Sequence, residues 1–252
     1  MQNLETKTNS HQLRPITHMT AEIVPPVIPS HIPFDQTYVL YDPNDIISII
    51  SVQFTLLPVY IMVFYLLWFL VTREIEPVIV VAGHLCSEIV NKILKVLLKN
   101  PRPDFHREFG SGGSLSYGMP SAHSQFIGFL AAYYTCVVIF KIGHLKQWQK
   151  AAWAVILAGV GVCVAGSRVY LMYHTWQQVF VGVTVGVVFG VFYFIFSSLV
   201  RDIGLVDWVL NWPVIKHFHV KDSYHHCYQT FKDEYDTYLR QRRLLKEPKK
   251  NI

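Results

Sequence analysis

The chain has 252 residues, of which 52% are hydrophobic and only 15% are Asp, Glu, Lys or Arg. Soluble domains carry about 25% charged residues, so this composition, with a mean hydropathy of +0.29, argues against an ordinary soluble enzyme. The net charge of +5 does not read as a nucleic-acid footprint, because the basic residues flank apolar runs and crowd the tail rather than forming one basic face.

Residues 1–45 read as an N-terminal arm, lumenal or interfacial. Its stretch Ile23–Pro33 (IVPPVIPSHIP) is too rich in proline to span a bilayer. Residues 1–30 also lack the apolar core of roughly 7–15 residues that a signal peptide needs.

A spanning helix needs about 20 apolar residues. Four stretches qualify, about 47–72, 126–141, 151–170 and 177–200, the second only if its helix starts near Ser121. A fifth, about 77–98, begins PVIVVAGHLC and then carries Glu88, Asn91, Lys92 and Lys95. Polar residues at one end of a span face protein or water rather than lipid, and a single loop joins the Lys95 end to the Ser121 end. Residues 46–200 are therefore predicted to form an all-α, polytopic transmembrane bundle of about five spans. A basic tail follows over residues 201–252. Its Trp208–Ile215 stretch is too short to cross, and a further helix is expected from about Gln229 to Lys246.

Lys and Arg concentrate on the cytosolic side of membrane proteins. Arg73 follows span one, Lys141, Lys146 and Lys150 lie between spans three and four, and Arg201 opens the tail that runs to RQRRLLKEPKK. With five spans these regions share one face, which is read as cytosolic. The loops at about 99–124 and 168–176 then share the opposite face with Asp35, Asp42 and Asp45. The terminal Lys249-Lys250-Asn251-Ile252 has the form of a dilysine retrieval signal of the endoplasmic reticulum, read by coat proteins; a basic tail ending this way by chance is the alternative.

Other chemistry-bearing residues read as structural. Cys86, Cys136 and Cys163 lie in apolar runs without CxxC spacing and are expected to be small buried hydrophobes, with no disulfide framework. His217, His219, His225, His226 and Cys227 match no tetrahedral zinc spacing and read as solvated. Glu88, Lys92 and Lys95 stand at i, i+4 and i+7, so Glu88 is expected to pair with Lys92.

Three short motifs fall on the non-cytosolic face. In KVLLKNPRP, Lys95 and Arg102 are seven residues apart, and Pro101 and Pro103 are expected to end the helix there. In PSAH, Ser121 suits a helix N-cap, and the N–H groups that follow, from Ala122 onward, can bind an anion. In SRVYLMYHTWQQ, Arg168 and His174 stand at consecutive span ends. Taken singly, each motif is also explained by snorkelling cations, a serine cap or interfacial anchors. Their convergence on one face is not. Two Arg, one Lys, two His and a serine cap suit a phosphate held by fixed donors, and the histidines add proton transfer and nucleophilic attack. Asp104 and Glu108 are near in sequence but free to turn outward. A phosphoryl-transfer site without a metal or other cofactor is expected.

Lys95-x6-Arg102-Pro103, Pro120-Ser121-x-His123 and Ser167-Arg168-x5-His174 occur in the order found in the type-2 phosphatidic acid phosphatase superfamily, which includes lipid phosphatases, glucose-6-phosphatase and vanadium haloperoxidases. The strings YGMPSAHSQF and SRVYLMYHTWQQV most resemble the branch that acts on dolichyl diphosphate in the endoplasmic reticulum. The resemblance covers about residues 45–200 and implies a lipid phosphatase/haloperoxidase-like core with its site on the lumenal side. It implies His174 as nucleophile forming a phosphohistidine, and His123 as the acid that protonates the leaving oxygen and then activates water. Lys95, Arg102 and Arg168 would hold the phosphoryl oxygens, together with Ser121 and the N–H groups at Ala122 and His123. The superfamily usually has Asp four residues after the nucleophile, where this chain has Gln178; one helical turn on, Gln178 can accept the His174 Nδ1–H and orient the ring.

The substrate so implied is a polyisoprenoid diphosphate in the bilayer. A different lipid phosphate (phosphatidate, sphingosine phosphate or a shorter prenyl diphosphate) would need the same chemistry. A non-catalytic lipid-phosphate carrier or scaffold is the reading from another class.

Overall fold

The computed structural model describes residues 39–103, 117–226 and 231–246. Most of the N-terminal arm, Asp104, Glu108, Cys227 and the terminal dilysine lie outside the described residues.

Among the described residues, five helices are long and apolar enough to cross a membrane. They are α1 (Ile46–Thr72), α2 (Glu76–Leu98), α3 (Ala122–Cys136, continued by a π-helical stretch Val137–Lys141), α4 (Gln147–Tyr170) and α5 (Trp176–Asp202). Local chemistry sets their ends. The Asp45 carboxylate caps α1 by accepting from the Ile47 N–H at 3.0 Å. Arg73 and Lys99 adopt left-handed backbone after α1 and α2, and their N–H groups close on Phe69 O and Lys95 O. Pro101 and Pro103 follow directly, so α2 stops where the proline spacing predicts and Arg102 leaves the helix axis.

The third span starts at Ala122, as its length required. The Trp208–Ile215 region forms two short helices, α6 (Leu205–Leu210) and α7 (Pro213–His217), and neither crosses. After α8 (Ser223–His226), the expected tail helix is α9 (Phe231–Lys246).

The core centres on α3. Ile127, Phe129 and Tyr133 are buried there against Tyr65 of α1, Val80 of α2, Val164 of α4 and Tyr193 of α5. Large apolar side chains such as Val71, Val155, Val162 and Phe180 point outward, the arrangement of a bundle solvated by lipid. Cys86 and Cys163 are also exposed and only Cys136 is half-buried, so the expectation of buried cysteines is corrected: two of them sit on outward faces.

The α3–α5 contact is built on small residues. Gly182, Gly186 and Gly190 recur every fourth residue of α5 and lie against backbone atoms of Ser121, Gln125 and Phe129, while Gly128 of α3 lies against Val183. Without side chains between them, two helices in lipid approach closely and pack by dispersion.

The end of the bundle that carries Arg73 and Arg201 is held by buried ions. Arg201 pairs with Glu76 through Nη2 and with Asp222 through Nε at 3.0 Å. Tyr133 OH donates to Glu76 at 2.9 Å. The chain after α7 returns to the α1–α2 turn, where Lys221 N–H donates to Arg73 O and Ile75 N–H to Lys221 O. Lys221 also pairs with Glu74 at 3.3 Å. The expected Glu88–Lys92 pair is not formed; among the described residues the buried carboxylate that pairs on α2 is Glu76, the first residue of the helix.

Candidate active site

At the opposite end of the bundle four span ends meet, carrying Lys95, Ser121 with His123, Arg168 and His174. Arg168 lies in the last turn of α4 and is buried. Its guanidinium carbon sits 4.0 Å over the Tyr173 ring, a cation–π contact that holds the fork without neutralising it. Tyr173 is itself tied to the segment entering α1, since its hydroxyl accepts the Leu40 N–H at 2.8 Å. Arg168 Nε is buried with no hydrogen-bond partner among the described residues. A buried guanidinium with an open donor, and with no carboxylate partner among the described residues, is the state an incoming anion would satisfy.

Arg168 also fixes the backbone of His174. Its carbonyl accepts the N–H groups of both Tyr173 (3.0 Å) and His174 (3.1 Å), so one residue supplies a cation and places the histidine. Ser167 anchors the same turn: its hydroxyl donates to Val164 O at 2.8 Å. The Thr55 hydroxyl, 3.1 Å away, then donates to Ser167 Oγ.

His174 is buried in the turn between α4 and α5. Burial first, then the charges of Arg168 and Arg102, hold its imidazole well below the ordinary histidine value, with a smaller opposing pull from Gln178. These surroundings favour the neutral ring. Its Nδ1 lies 3.1 Å from Gln178 Oε1, as the i, i+4 spacing predicts. An amide oxygen only accepts, so Nδ1 carries the proton and Nε2 carries the lone pair.

Gln178 does more than the sequence indicated. It closes a capping box with Thr175, accepting the Thr175 N–H on Oε1 at 3.3 Å while its own N–H reaches Thr175 Oγ1 at 3.4 Å. Its Nε2 donates to Asn100 Oδ1 at 2.6 Å and to Pro101 O at 2.7 Å. The capping box was visible in the string THR-x-x-GLN at 175–178; the bonds to Asn100 and Pro101 had no local signal.

Ser121 holds the N-cap position of α3 in extended backbone, but its hydroxyl makes no capping bond. Instead it accepts from Ser124 Oγ at 3.0 Å, and its N–H donates to Gln178 O at 3.1 Å. This corrects the simple cap expected there. The N–H groups left without intrahelical acceptors at the start of α3 are those of Ala122, His123 and Ser124. The preceding Pro120 is braced by Asn91, whose Nδ2 donates to Pro120 O and to Gln125 Oε1 at 3.3 and 2.8 Å. Lys95, in the last turn of α2, is half-buried, and Arg168, Lys95 and Arg102 all act electrostatically on His123 as they do on His174. Lys95, Arg102, Ser121, His123, Arg168 and His174 thus lie at one end of the bundle.

Residues 76–201 match the PAP2 superfamily. The chain is 41% identical over 212 residues to the dolichyldiphosphatase of Saccharomyces cerevisiae, covering 83% of this chain and 89% of that protein. It is 30% identical over 199 residues to dolichyldiphosphatase 1 of Homo sapiens, covering 76% and 82%. Among solved structures, the PAP2-type phosphatidylglycerolphosphate phosphatase of Bacillus subtilis aligns with TM-score 0.47 and 23% identity over 60% of this chain and 76% of that one.

Proposed function

The chain belongs to the PAP2 superfamily and is a multi-pass membrane hydrolase of lipid phosphates, and from that premise we propose that it removes the terminal phosphate of dolichyl diphosphate, giving dolichyl phosphate and inorganic phosphate. The observation that supports the chemistry is the buried His174, its Nδ1–H committed to Gln178, beside Arg168, whose Nε has no hydrogen-bond partner among the described residues. The similarity to the yeast and human dolichyldiphosphatases supports the lipid.

His174 Nε2 attacks the terminal phosphorus as the bond to the bridging oxygen breaks. His123, entering as the imidazolium that the negative charge of the bound diphosphate favours, gives that oxygen its proton, so dolichyl phosphate leaves. His123 then takes a proton from water, whose oxygen attacks phosphorus and displaces His174. Arg168, Arg102, Lys95, Ser121 and the N–H groups of Ala122 and His123 hold the charge that gathers on the phosphoryl oxygens, where preorganised donors contribute most. The basic-residue distribution supports placing this site on the lumenal side of the endoplasmic reticulum membrane, with the tail and its dilysine in the cytosol, open to coat proteins.

The test is phosphate release by the purified protein in detergent with EDTA, comparing dolichyl diphosphate, dolichyl monophosphate and phosphatidate. Preference for the diphosphate is expected. Preference for phosphatidate would discard the dolichol assignment and leave the site standing, and binding without release from any lipid would make the protein a carrier.

In the same assay Gln178→Asp is expected to keep measurable turnover below that of the wild type. A carboxylate still accepts the His174 proton, but it has no hydrogen for Asn100 Oδ1 or Pro101 O. Turnover equal to the wild type would show that those two bonds contribute nothing.

A further inference from the structure

Gln178 has one oxygen and two amide hydrogens, and all are committed. Oε1 accepts from His174 Nδ1 and Thr175 N; the two hydrogens on Nε2 go to Asn100 Oδ1 and Pro101 O. A flip of the amide would set Oε1 against two acceptors and turn two donors towards the Thr175 N–H and the His174 ring. Packing closes the same space: a Cβ on Gly118 would lie 2.6 Å from both Gln178 Nε2 and Oε1. Gly118 is itself held by Asn100, whose carbonyl accepts its N–H at 2.7 Å. Pro101 bridges to Tyr117 beside it. Asn100 therefore grips Gln178 from the side chain and Gly118 from the main chain.

We propose that Asn100 is a positioning residue for catalysis: its side-chain oxygen locks the Gln178 amide in the one orientation that keeps the proton on His174 Nδ1 and the lone pair on Nε2. This rests on His174 being the nucleophile. The same lock ties the nucleophile to the strand of loop that carries Arg102, one residue past Pro101, so the attacking nitrogen and a phosphate-holding cation are set by one amide. It also accounts for glutamine at position 178. A group there has to accept from histidine and donate to two oxygens, and an amide does both while a carboxylate does not.

The test compares Asn100→Leu, Asn100→Ala and Asn100→Asp in the full-length protein in detergent. Dolichyl diphosphate is the substrate, p-nitrophenyl phosphate is run in parallel, and His174→Ala is the reference. Leucine and alanine remove the acceptor and are expected to lower kcat about tenfold or more, the scale of a small misplacement of a reacting group, with KM little changed. Aspartate keeps an acceptor oxygen and is expected to recover most of kcat. Its negative charge joins Arg168 of α4, and Arg102 and Lys95 of α2 and its loop, as the charged groups acting on His174. An added anion favours the imidazolium, so the acidic limb of the kcat/KM profile moves to higher pH in Asn100→Asp.

Wild-type kcat in the leucine and alanine variants would overturn the proposal. So would an aspartate variant as impaired as leucine with an unmoved limb, which is the pattern of a residue that only supports the loop. Turnover of the aryl phosphate without the lipid would remove the dolichol assignment alone. Activity surviving in His174→Ala would remove the nucleophile, and with it this proposal.

Discussion

Replacing His174 by alanine is expected to lower phosphate release by roughly 10⁴-fold or more, the scale seen when a covalent nucleophile is deleted. The substitution leaves the turn intact, because the backbone of residue 174 is held by Arg168 O and not by its ring. The loss therefore reports chemistry and not unfolding. Substrate labelled in its terminal phosphate, quenched in alkali where phosphohistidine survives, is expected to leave label on the wild-type protein and none on His174→Ala. His123→Ala is the informative companion. With a leaving group as good as p-nitrophenolate the first step needs no acid, yet water activation is still lost, so labelled protein should accumulate. Label on the His174→Ala protein would move the nucleophile elsewhere.

The pH dependence has a definite sign. Attack requires neutral His174, and burial beside Arg168 and Arg102 lowers the ring's affinity for a proton. The acidic limb contributed by this residue therefore lies well below the ordinary histidine range, and the nucleophile stays competent through mildly acidic conditions. Removing a neighbouring cation, as in Arg102→Gln, restores proton affinity and shifts that limb upward, in addition to weakening phosphate binding.

What the sequence disclosed follows from how local each signal is. The five spans were legible because apolar runs end at residues whose chemistry stops a helix, Asp45 before α1 and the Pro101–Pro103 pair after α2. The site was legible because its residues cluster at span ends, and alternation of spans sends those ends to one face. Glu76 was overlooked because beside Pro77 it looks like an ordinary first-turn acid. Its partner Arg201 is 125 residues away, and only the fold brings them together. Expecting Glu88 to pair with Lys92 applied a helix-surface rule that the fold did not use. Ser121 was recognised as an N-cap by type, yet its hydroxyl turned to Ser124 and its N–H to Gln178, since α5 passes close enough to offer a carbonyl. Asn100 gave no sign at all: its role depends on which helix lies across the loop.

That close passage of α5 carries the second large expected effect. Gly186→Val is expected to lower kcat/KM by about 100-fold or more and to destabilise the protein by about 1–3 kcal/mol, the usual cost of overpacking. The obstacles to a new side chain are backbone atoms: the Gln125 carbonyl, with Phe129 N at 2.9 Å from the Cβ position. Neither can rotate aside, so α3 and α5 must separate. The sequence shows the Gly182-x3-Gly186-x3-Gly190 repeat but not its partner, which the fold identifies as α3. Separation reaches the site directly, because Ser121 and His123 ride on the start of α3 and Gln178, which holds the His174 ring, on the start of α5, joined by the Ser121 N–H to Gln178 O bond. Gly159→Val is the control. It lies mid-helix in α4 with nothing within 4 Å of its Cβ position, so the same residue change there meets only lipid. Thermal unfolding in detergent and phosphate release should both fall for position 186 and hold for position 159. Equal behaviour of the two variants would mean that close approach of α3 and α5 does not set the catalytic geometry.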